Sequence, residues 1–342
     1  MKAHARTITT LLCAAALVFA GVLLTSCGSE EPVEGQLFAM DTTITLSAYG
    51  DNAEDALAAA EKEVNRLDKM LNAEDPKSEI GRLNAKGNGT LSKDAGTLVQ
   101  RGMSLYRDTS GLFDIAIHPV MDAWGFTTKD YRVPTDAQLK SLLTHIDAEK
   151  INYDPATGKT SFDDNKMSID LGGIAKGYTS GRLMEVYKEN GVDSGLVNLG
   201  GNIHVLGSKP DGSKWRIAVE DPSKEDYLGL LEVADRAVIT SGAYERNFTE
   251  GDKTYHHIID PRTGYPAESG LKSVTIVSKD GTLADALSTS LYIMGREKAI
   301  DFWRSHSHDF DFIILDSEDK VYISSPIAKD FSSEKYTVET VE

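Results

Sequence analysis

The chain is 342 residues long and carries 53 acidic against 36 basic side chains, a formal charge of -17 at pH 7. A surface of that sign repels nucleic acid and anionic lipid headgroups, which excludes both as partners held by charge. Both cysteines, Cys13 and Cys27, stand near the beginning of the chain, so no disulfide framework and no thiol chemistry serves the remainder, and the fold must be held by its core.

Lys2 and Arg6 open the chain and an apolar run from Ile8 to Leu24 follows. The run is too short and too rich in Ala, Thr and Gly for a membrane span, which takes about 20 predominantly apolar residues. Residues 1–26 therefore read as a secretory signal. The run ends at Leu24-Thr25-Ser26-Cys27-Gly28, which resembles the bacterial lipobox, where the cysteine is acylated and becomes the new N-terminus. An ordinary secretory peptide with an incidental Cys27 is the alternative. Loss of Lys2 and Arg6 with the signal leaves a mature chain of charge -19. Its membrane attachment must then come from acyl chains, and from more than one, because a single chain binds only marginally. The expected location is a membrane-anchored lipoprotein facing the extracytoplasmic side.

Residues 27–36 read as the lipidated cysteine and a polar tether. Beyond them no repeat, low-complexity segment or Pro/Ser linker interrupts the sequence, and residues 37–342 are expected to form one compact unit. Ile44, Leu46 and Ala48 alternate with Thr43, Thr45 and Ser47, the period of a half-buried strand. Leu57, Ala60, Val64, Leu67 and Leu71 then recur at spacings of three and four, predicting a helix over Ala53–Leu71 capped by Asp51 or Asn52. Further helices are predicted over Lys93–Asp108, opened by Ser92, and over Ile174–Asn190, closed by Gly191. Later segments are mostly strands: Trp215-Ile217-Val219, Val238–Thr240, Val274-Ile276-Ser278, Phe312–Leu315 and Val321–Ser324, with a helix from Leu283 to Met294 among them. The mixture predicts an α+β fold.

Four segments carry groups capable of chemistry. In Asp170-Leu171-Gly172-Gly173-Ile174-Ala175-Lys176-Gly177-Tyr178 a strand is expected to end in glycines where a helix begins. Taken alone this is first a plain strand-to-helix turn and second a phosphate cradle at a helix N-terminus. Asn198-Leu199-Gly200-Gly201-Asn202 suits a tight turn better than a bound ligand. His256 and His257 are adjacent, so in a strand they point to opposite faces and cannot easily share a zinc ion; one of them is a candidate general base, the other reading being a surface histidine. Asp285 and Thr289 lie four apart in the predicted helix, which puts a carboxylate and a hydroxyl on one face. Two oxygen donors suit Mg²⁺. Complementing the helix dipole and bonding back to a carbonyl is the plainer account of the pair.

The order and spacing of six segments resemble the ApbE family, the FAD:protein FMN transferases. They are Met40-Asp41-Thr42-Thr43; Asp75 to Asn84; Phe113-Asp114-Ile115-Ala116 leading to Ala123-Trp124-Gly125-Phe126; Asp170 to Tyr178; His257 to Gly264; and Ala284 to Thr289. The resemblance covers Leu37 to about Ser325. It implies an ApbE-like, T-fold-related α+β fold of mixed sheets with packed helices, FAD held across the glycine-rich segments, and Mg²⁺ at its pyrophosphate. It further implies Asp285, Thr289 and the Gly173 carbonyl as Mg²⁺ ligands, and Met40, Ala123, Trp124, Gly125, Asp170, Lys176, Ile259 and Ser288 as FAD contacts. Many relatives have Tyr where Glu74 stands here, so FAD is held more loosely or by another aromatic. The implied reaction is attack of a Thr or Ser hydroxyl on the FMN-side phosphorus of FAD with release of AMP, His257 being the candidate base. The acceptors implied are exported redox flavoproteins carrying a short Thr-containing motif. Rival expectations are an FAD pyrophosphatase giving FMN and AMP, a flavin carrier that does not cleave FAD, and a solute-binding lipoprotein.

Overall fold

The computed structural model describes residues 31–223, 226–306 and 309–342; the expected signal segment and Cys27 lie outside the described residues. The described chain opens with the hairpin β1 (Val33–Ala39) and β2 (Thr42–Ala48), followed by α1 (Ala53–Leu71), α2 (Glu79–Lys86), β3 (Asn88–Thr90) and α3 (Lys93–Asp108). Next come α4 (His118–Trp124), α5 (Asp136–Leu142), and the short strands β4 (Ile151–Tyr153) and β5 (Lys159–Phe162). After α6 (Ala175–Glu189) the chain is mainly β: β6 (Gly195–Leu199), β7 (Asn202–Leu206), β8 (Trp215–Glu220), β9 (Tyr227–Val233), β10 (Arg236–Gly242), β11 (Asn247–Glu250), β12 (Lys253–His256) and β13 (Leu271–Ser278). It closes with α7 (Gly281–Met294), α8 (Arg296–His306), β14 (Asp311–Asp316), β15 (Lys320–Ser324), α9 (Ser325–Ala328), β16 (Phe331–Ser332) and β17 (Thr337–Val341). The fold is the mixed-sheet α+β arrangement expected.

One sheet organises the molecule, with strand order β1-β2-β6-β7-β10-β13-β14-β15-β17. All its neighbours are antiparallel except β15 and β17. Its central strands are apolar on both faces because both are covered. From β10, β13 and β14 the side chains of Ile239, Val274, Ile276, Phe312 and Ile314 join the core under α3, α7 and α8. The alternate residues Val238, Val277, Ile313 and Leu315 pack instead on Ile217, Val219 and Leu231 of the small sheet β16-β9-β8. At the other end only one face is covered: Ile44 and Leu46 of β2 meet Ala60 and Val64 of α1 and Leu183 of α6. That difference explains why β2 alternates in sequence while β13 reads as a near-continuous apolar run.

The helix and strand expectations hold closely, α1 and α3 over the predicted spans and α6 one residue shorter at each end. One boundary differs. The polar tether was expected to reach Gln36, but Val33 to Gln36 pair with Ala48 to Thr45 as part of β1. Gly35 packs so closely on α1 that a Cβ there would lie 3.2 Å from Leu57 Cδ2. The inward set Val33, Gly35 and Leu37 contains a glycine between Glu34 and Gln36, so its alternation is too faint to read as a strand.

Candidate functional site

The site is built where α6 crosses α7. A Cβ at Gly177 would lie 2.1 Å from the Gly281 carbonyl oxygen and 2.6 Å from Asp285 Cβ, so only glycine lets the two helices approach this closely. Gly177 is in the first turn of α6, where main-chain N–H groups lack intrahelical partners. Its N–H donates to the Asp285 carboxylate at 2.8 Å, and Asn202 Nδ2 donates to the other carboxylate oxygen at 2.9 Å. Asp285 is 5% exposed and makes no ion pair within 4 Å among the described residues. Burial pushes its carboxyl up, against the pull of the Lys176 ammonium and the two donors. A desolvated carboxylate with no cation beside it is costly to keep charged.

One turn on, Ser288 donates its hydroxyl to the Asp285 carbonyl at 2.7 Å and meets Ser241 Oγ at 2.8 Å. Ser241, at the end of β10, also reaches Thr289 Oγ1 at 3.4 Å. Asp285, Ser288 and Thr289 are thus brought together as the helical spacing predicts. Gly173 lies in the turn into α6, in which the N–H groups of Ile174 and Ala175 both donate to the Leu171 carbonyl. The glycine segment is therefore a turn at a helix N-terminus, but the strand expected before it is not paired in any sheet. Asn84 holds Ile169 instead, at 2.8 and 2.9 Å, and Asp170 N–H goes to the Ile115 carbonyl. A side-chain amide satisfies the backbone that a neighbouring strand would otherwise serve.

His256 and His257 take separate partners, His256 Nε2 the Ala267 carbonyl and His257 Nδ1 the Arg246 carbonyl, at 3.1 and 3.2 Å. A carbonyl only accepts, so His257 Nδ1 carries the proton and Nε2 keeps its lone pair. Burial first, then the Arg246 and Lys176 charges, push His257 down to about 3. Glu245, beside Arg246, is pushed the other way, up to about 7, by burial and by Glu220 and Asp285 against the opposing Lys176. The Lys176 ammonium thus acts on Asp285, Glu245 and His257 together while making no ion pair within 4 Å among the described residues.

The β1–β2 turn overhangs this group. Met40 and Asp41 both have positive φ, 50° and 60°, an uncommon backbone for side chains other than Gly and Asn. Asp68 accepts from Met40 N–H at 2.9 Å, and the Asp41 carboxylate bridges Lys129 and Arg246 at 2.5 and 3.9 Å. Gly200 and Gly201, both at positive φ, form the two-residue turn of the β6–β7 hairpin, so the turn reading of that pair holds.

A third wall comes from an aromatic cluster. Trp124 is fully buried, donates Nε1–H to the Gly264 carbonyl at 2.7 Å, and packs against Phe126, Phe248, Tyr255 and Tyr265. Ile259 shares that core. Their side chains are thus committed to packing, so Trp124 and Ile259 can meet a ligand only through main chain, as can Gly125. Ala123 is half-buried beside them, and Asp170 is half-buried with its carboxylate on Gly172 N–H at 2.7 Å. Gly125 has φ of 76°, and a Cβ there would lie 1.9 Å from the Asp130 carbonyl oxygen.

The family model described as the ApbE family matches residues 40–314, a span that includes every wall of this site. The chain belongs to the ApbE family. A Klebsiella pneumoniae FAD:protein FMN transferase is 32% identical over 86% of this chain and 92% of its own length. A Treponema pallidum FAD:protein FMN transferase is 30% identical over 80% of this chain and 83% of its own. Among solved structures, the ApbE protein of Thermotoga maritima superposes with a TM-score of 0.83 at 28% identity, and the flavin transferase ApbE of Vibrio cholerae with 0.79 at 26%. Each covers 88% of this chain and 99% of its own.

Several groups of this ApbE site escape the sequence. Asn202 was legible only as a flank of a glycine pair, and Ser241, Glu245 and Arg246 sit where a strand ends, with no period or motif to mark them. Glu74 meets His118 Nε2 at 2.7 Å, and His118 Nδ1 meets Ser168 Oγ at 2.8 Å. An imidazole ring therefore stands beside Glu74.

Proposed function

We propose that this chain transfers FMN from FAD to a Thr or Ser hydroxyl of exported acceptor proteins, with AMP leaving. The observation that carries the reading is the buried Asp285 carboxylate at the α6–α7 crossing, within the influence of Lys176, which makes no ion pair within 4 Å among the described residues, and backed by hydroxyls and a helix N-terminus. The names of the relatives, FAD:protein FMN transferases, supply the reaction class.

The Asp285 carboxylate, Thr289 hydroxyl and Gly173 carbonyl are the groups that would hold Mg²⁺. All are hard oxygen donors, and a buried carboxylate without a cation fits that ion. When bound, Mg²⁺ supplies charge neutralisation at the pyrophosphate.

The chain's own residues do the rest. The Lys176 ammonium attracts the pyrophosphate, while the Ala175 and Gly177 N–H groups are already taken by the Leu171 carbonyl and the Asp285 carboxylate. Met40, Ala123, Trp124, Gly125, Asp170, Ile259 and Ser288 line the path along which FAD would lie. His257 Nε2 takes the proton of the attacking hydroxyl as the new P–O bond forms and the bond to AMP breaks. An imidazole held so low is a weak base, but the negative pyrophosphate entering beside it raises its basicity, so deprotonation is coupled to FAD binding. Attachment to the membrane through an acylated Cys27 belongs to the same proposal and would place the reaction outside the cytoplasm.

Mass spectrometry of an exported redox flavoprotein carrying the Thr motif, incubated with FAD, Mg²⁺ and the enzyme, tests this reading. The expected result is an FMN-sized gain that requires Mg²⁺ and Asp285. Free FMN and AMP with several unlabelled acceptors would make the chain a pyrophosphatase, and intact FAD would make it a carrier.

A further inference from the structure

We propose that the free edge of β1 is the docking strand for the acceptor: an extended segment of the acceptor protein pairs with it and is led into the transfer site. The inference rests on the transfer reading above and names the surface that holds its protein substrate.

The hairpin backbone fixes which groups are free. Met40 and Asp41 have φ of 50° and 60°, the two positive values of a two-residue type I′ turn, so the closing pair Ala39 and Thr42 exchanges both its hydrogen bonds. Facing residues of an antiparallel ladder alternate between bonded and unbonded pairs. Leu37, Gly35 and Val33 therefore bond Ile44, Leu46 and Ala48, whereas the N–H and C=O groups of Phe38, Gln36 and Glu34 point away from β2. β1 is the first strand of its sheet, and those outward groups take no hydrogen-bond partner among the described residues. A free edge is usually blunted by lysine, proline or a bulge. β1, unbroken in register from Val33 to Ala39, has none of the three.

The side chains of the open face define the partner. Phe38 is 71% exposed, more than any other large apolar side chain among the described residues, and aromatic rings are what protein interfaces preferentially cover. It stands two residues before Met40, at the end of the strand next to the site, where Asp41 reaches Arg246 at 3.9 Å and the Arg246 carbonyl holds His257. Further back, the same face opens on a groove of about 640 Å³ lined by Glu34, Gln36, Lys209, Trp215 and Arg216. Lys209 and Arg216 make no ion pair within 4 Å among the described residues, so the groove offers two cations against the one carboxylate of Glu34. A second copy of this chain would bring a like charge of -17 to the edge, which opposes self-pairing. The fitting occupant is an extended acceptor segment with an apolar side chain beside Phe38 and acidic side chains toward the groove, its main chain bonded to Phe38, Gln36 and Glu34. Its hydroxyl residue then lies beyond the paired stretch, past Met40, where β1 ends at the site.

Hydrogen exchange of the full chain, and labelling of the Thr-motif redox flavoprotein in its flavin-free form, test the docking strand. Adding that acceptor without FAD or Mg²⁺ should slow exchange of the Gln36 and Phe38 amides by about tenfold or more and leave Leu37, already bonded to Ile44, unchanged. Gln36→Pro removes an outward N–H while keeping the bonds to β2, and Phe38→Ser removes the apolar anchor. Each should raise KM for the acceptor by about tenfold, the worth of an interface hot spot, with kcat and FAD affinity within about twofold, and Phe38→Leu should restore most of the loss. Parent-like KM in both variants, or Gln36 and Phe38 amides that exchange alike with and without acceptor, would overturn the proposal. Protection that grows with enzyme concentration in the absence of acceptor would also overturn it, by assigning the edge to a second copy. Protection by the acceptor without any labelling keeps the docking strand and defeats the transfer reading instead, so the two fail separately.

Discussion

In the proposed reaction the attacking hydroxyl must give up its proton, and His257 Nε2 is the base proposed for it, the opposite ring nitrogen being held by the Arg246 carbonyl. His257→Ala should keep FAD affinity within about twofold and lose roughly 10²–10⁴-fold in transfer, the usual worth of a general base; single-turnover labelling of an acceptor measures it, and near-normal transfer would remove the role. Asp285 makes a different demand. Because its buried charge has no cation beside it, Asp285→Asn should raise the thermal midpoint without Mg²⁺, while the stabilisation that Mg²⁺ gives the parent should vanish. A thermal scan with and without Mg²⁺ checks both halves. Asp285 and Thr289 were legible because helical spacing is rigid: residues four apart must share a face. His257 could be singled out only as one of two histidines, since which imidazole points inward depends on the Arg246 and Ala267 carbonyls, both distant from a strand's period.

Between elements, the close α6–α7 crossing dominates. Gly177→Ala would gain about 1 kcal/mol of helix propensity, but its methyl meets backbone oxygen at 2.1 Å, an overlap that no rotamer relieves. Overpacking of this kind costs about 1–3 kcal/mol or more, so a net loss of stability with a larger loss of transfer is expected from denaturant titration and labelling. The helices were readable in advance where an apolar stripe and a cap coincide, as in α1 and α3. α2, α4, α5 and α8 were not read, being short or weakly patterned, and the aromatic cluster around Trp124 draws on residues from 124 to 265 that no local window joins. The strand expected before Gly172 misled because one side-chain amide, that of Asn84, holds the Ile169 backbone where a neighbouring strand would.

For the molecule as a whole, buried titratable groups set opposing limits on pH. Burial pushes His204 down to about 4 and His257 to about 3. Between their ordinary value near 6.5 and these values the unfolded chain binds protons that the folded chain refuses, so stability is full above about pH 6.5 and falls as pH drops through that window, by about 3 kcal/mol for His204 and about 5 kcal/mol for His257. Glu245, raised to about 7, has the opposite sign: its contribution is present below about pH 4.5 and is lost as pH rises through 7. Glu245→Gln should therefore stabilise the protein at pH 8, by up to about 3 kcal/mol, and leave it unchanged at pH 4. Urea titrations at the two pH values decide this.

β1 begins at Val33. With an acyl anchor on Cys27, five residues of chain would separate the lipidated cysteine from the first strand, a reach of about 20 Å even fully extended, comparable to the radius of gyration of about 19 Å for a domain of some 300 residues. So anchored, the enzyme would be moored and could not roam. Acceptors sharing that membrane would come to it by lateral diffusion in two dimensions, and a longer leash, with the site untouched, is the change that would bring soluble acceptors within range.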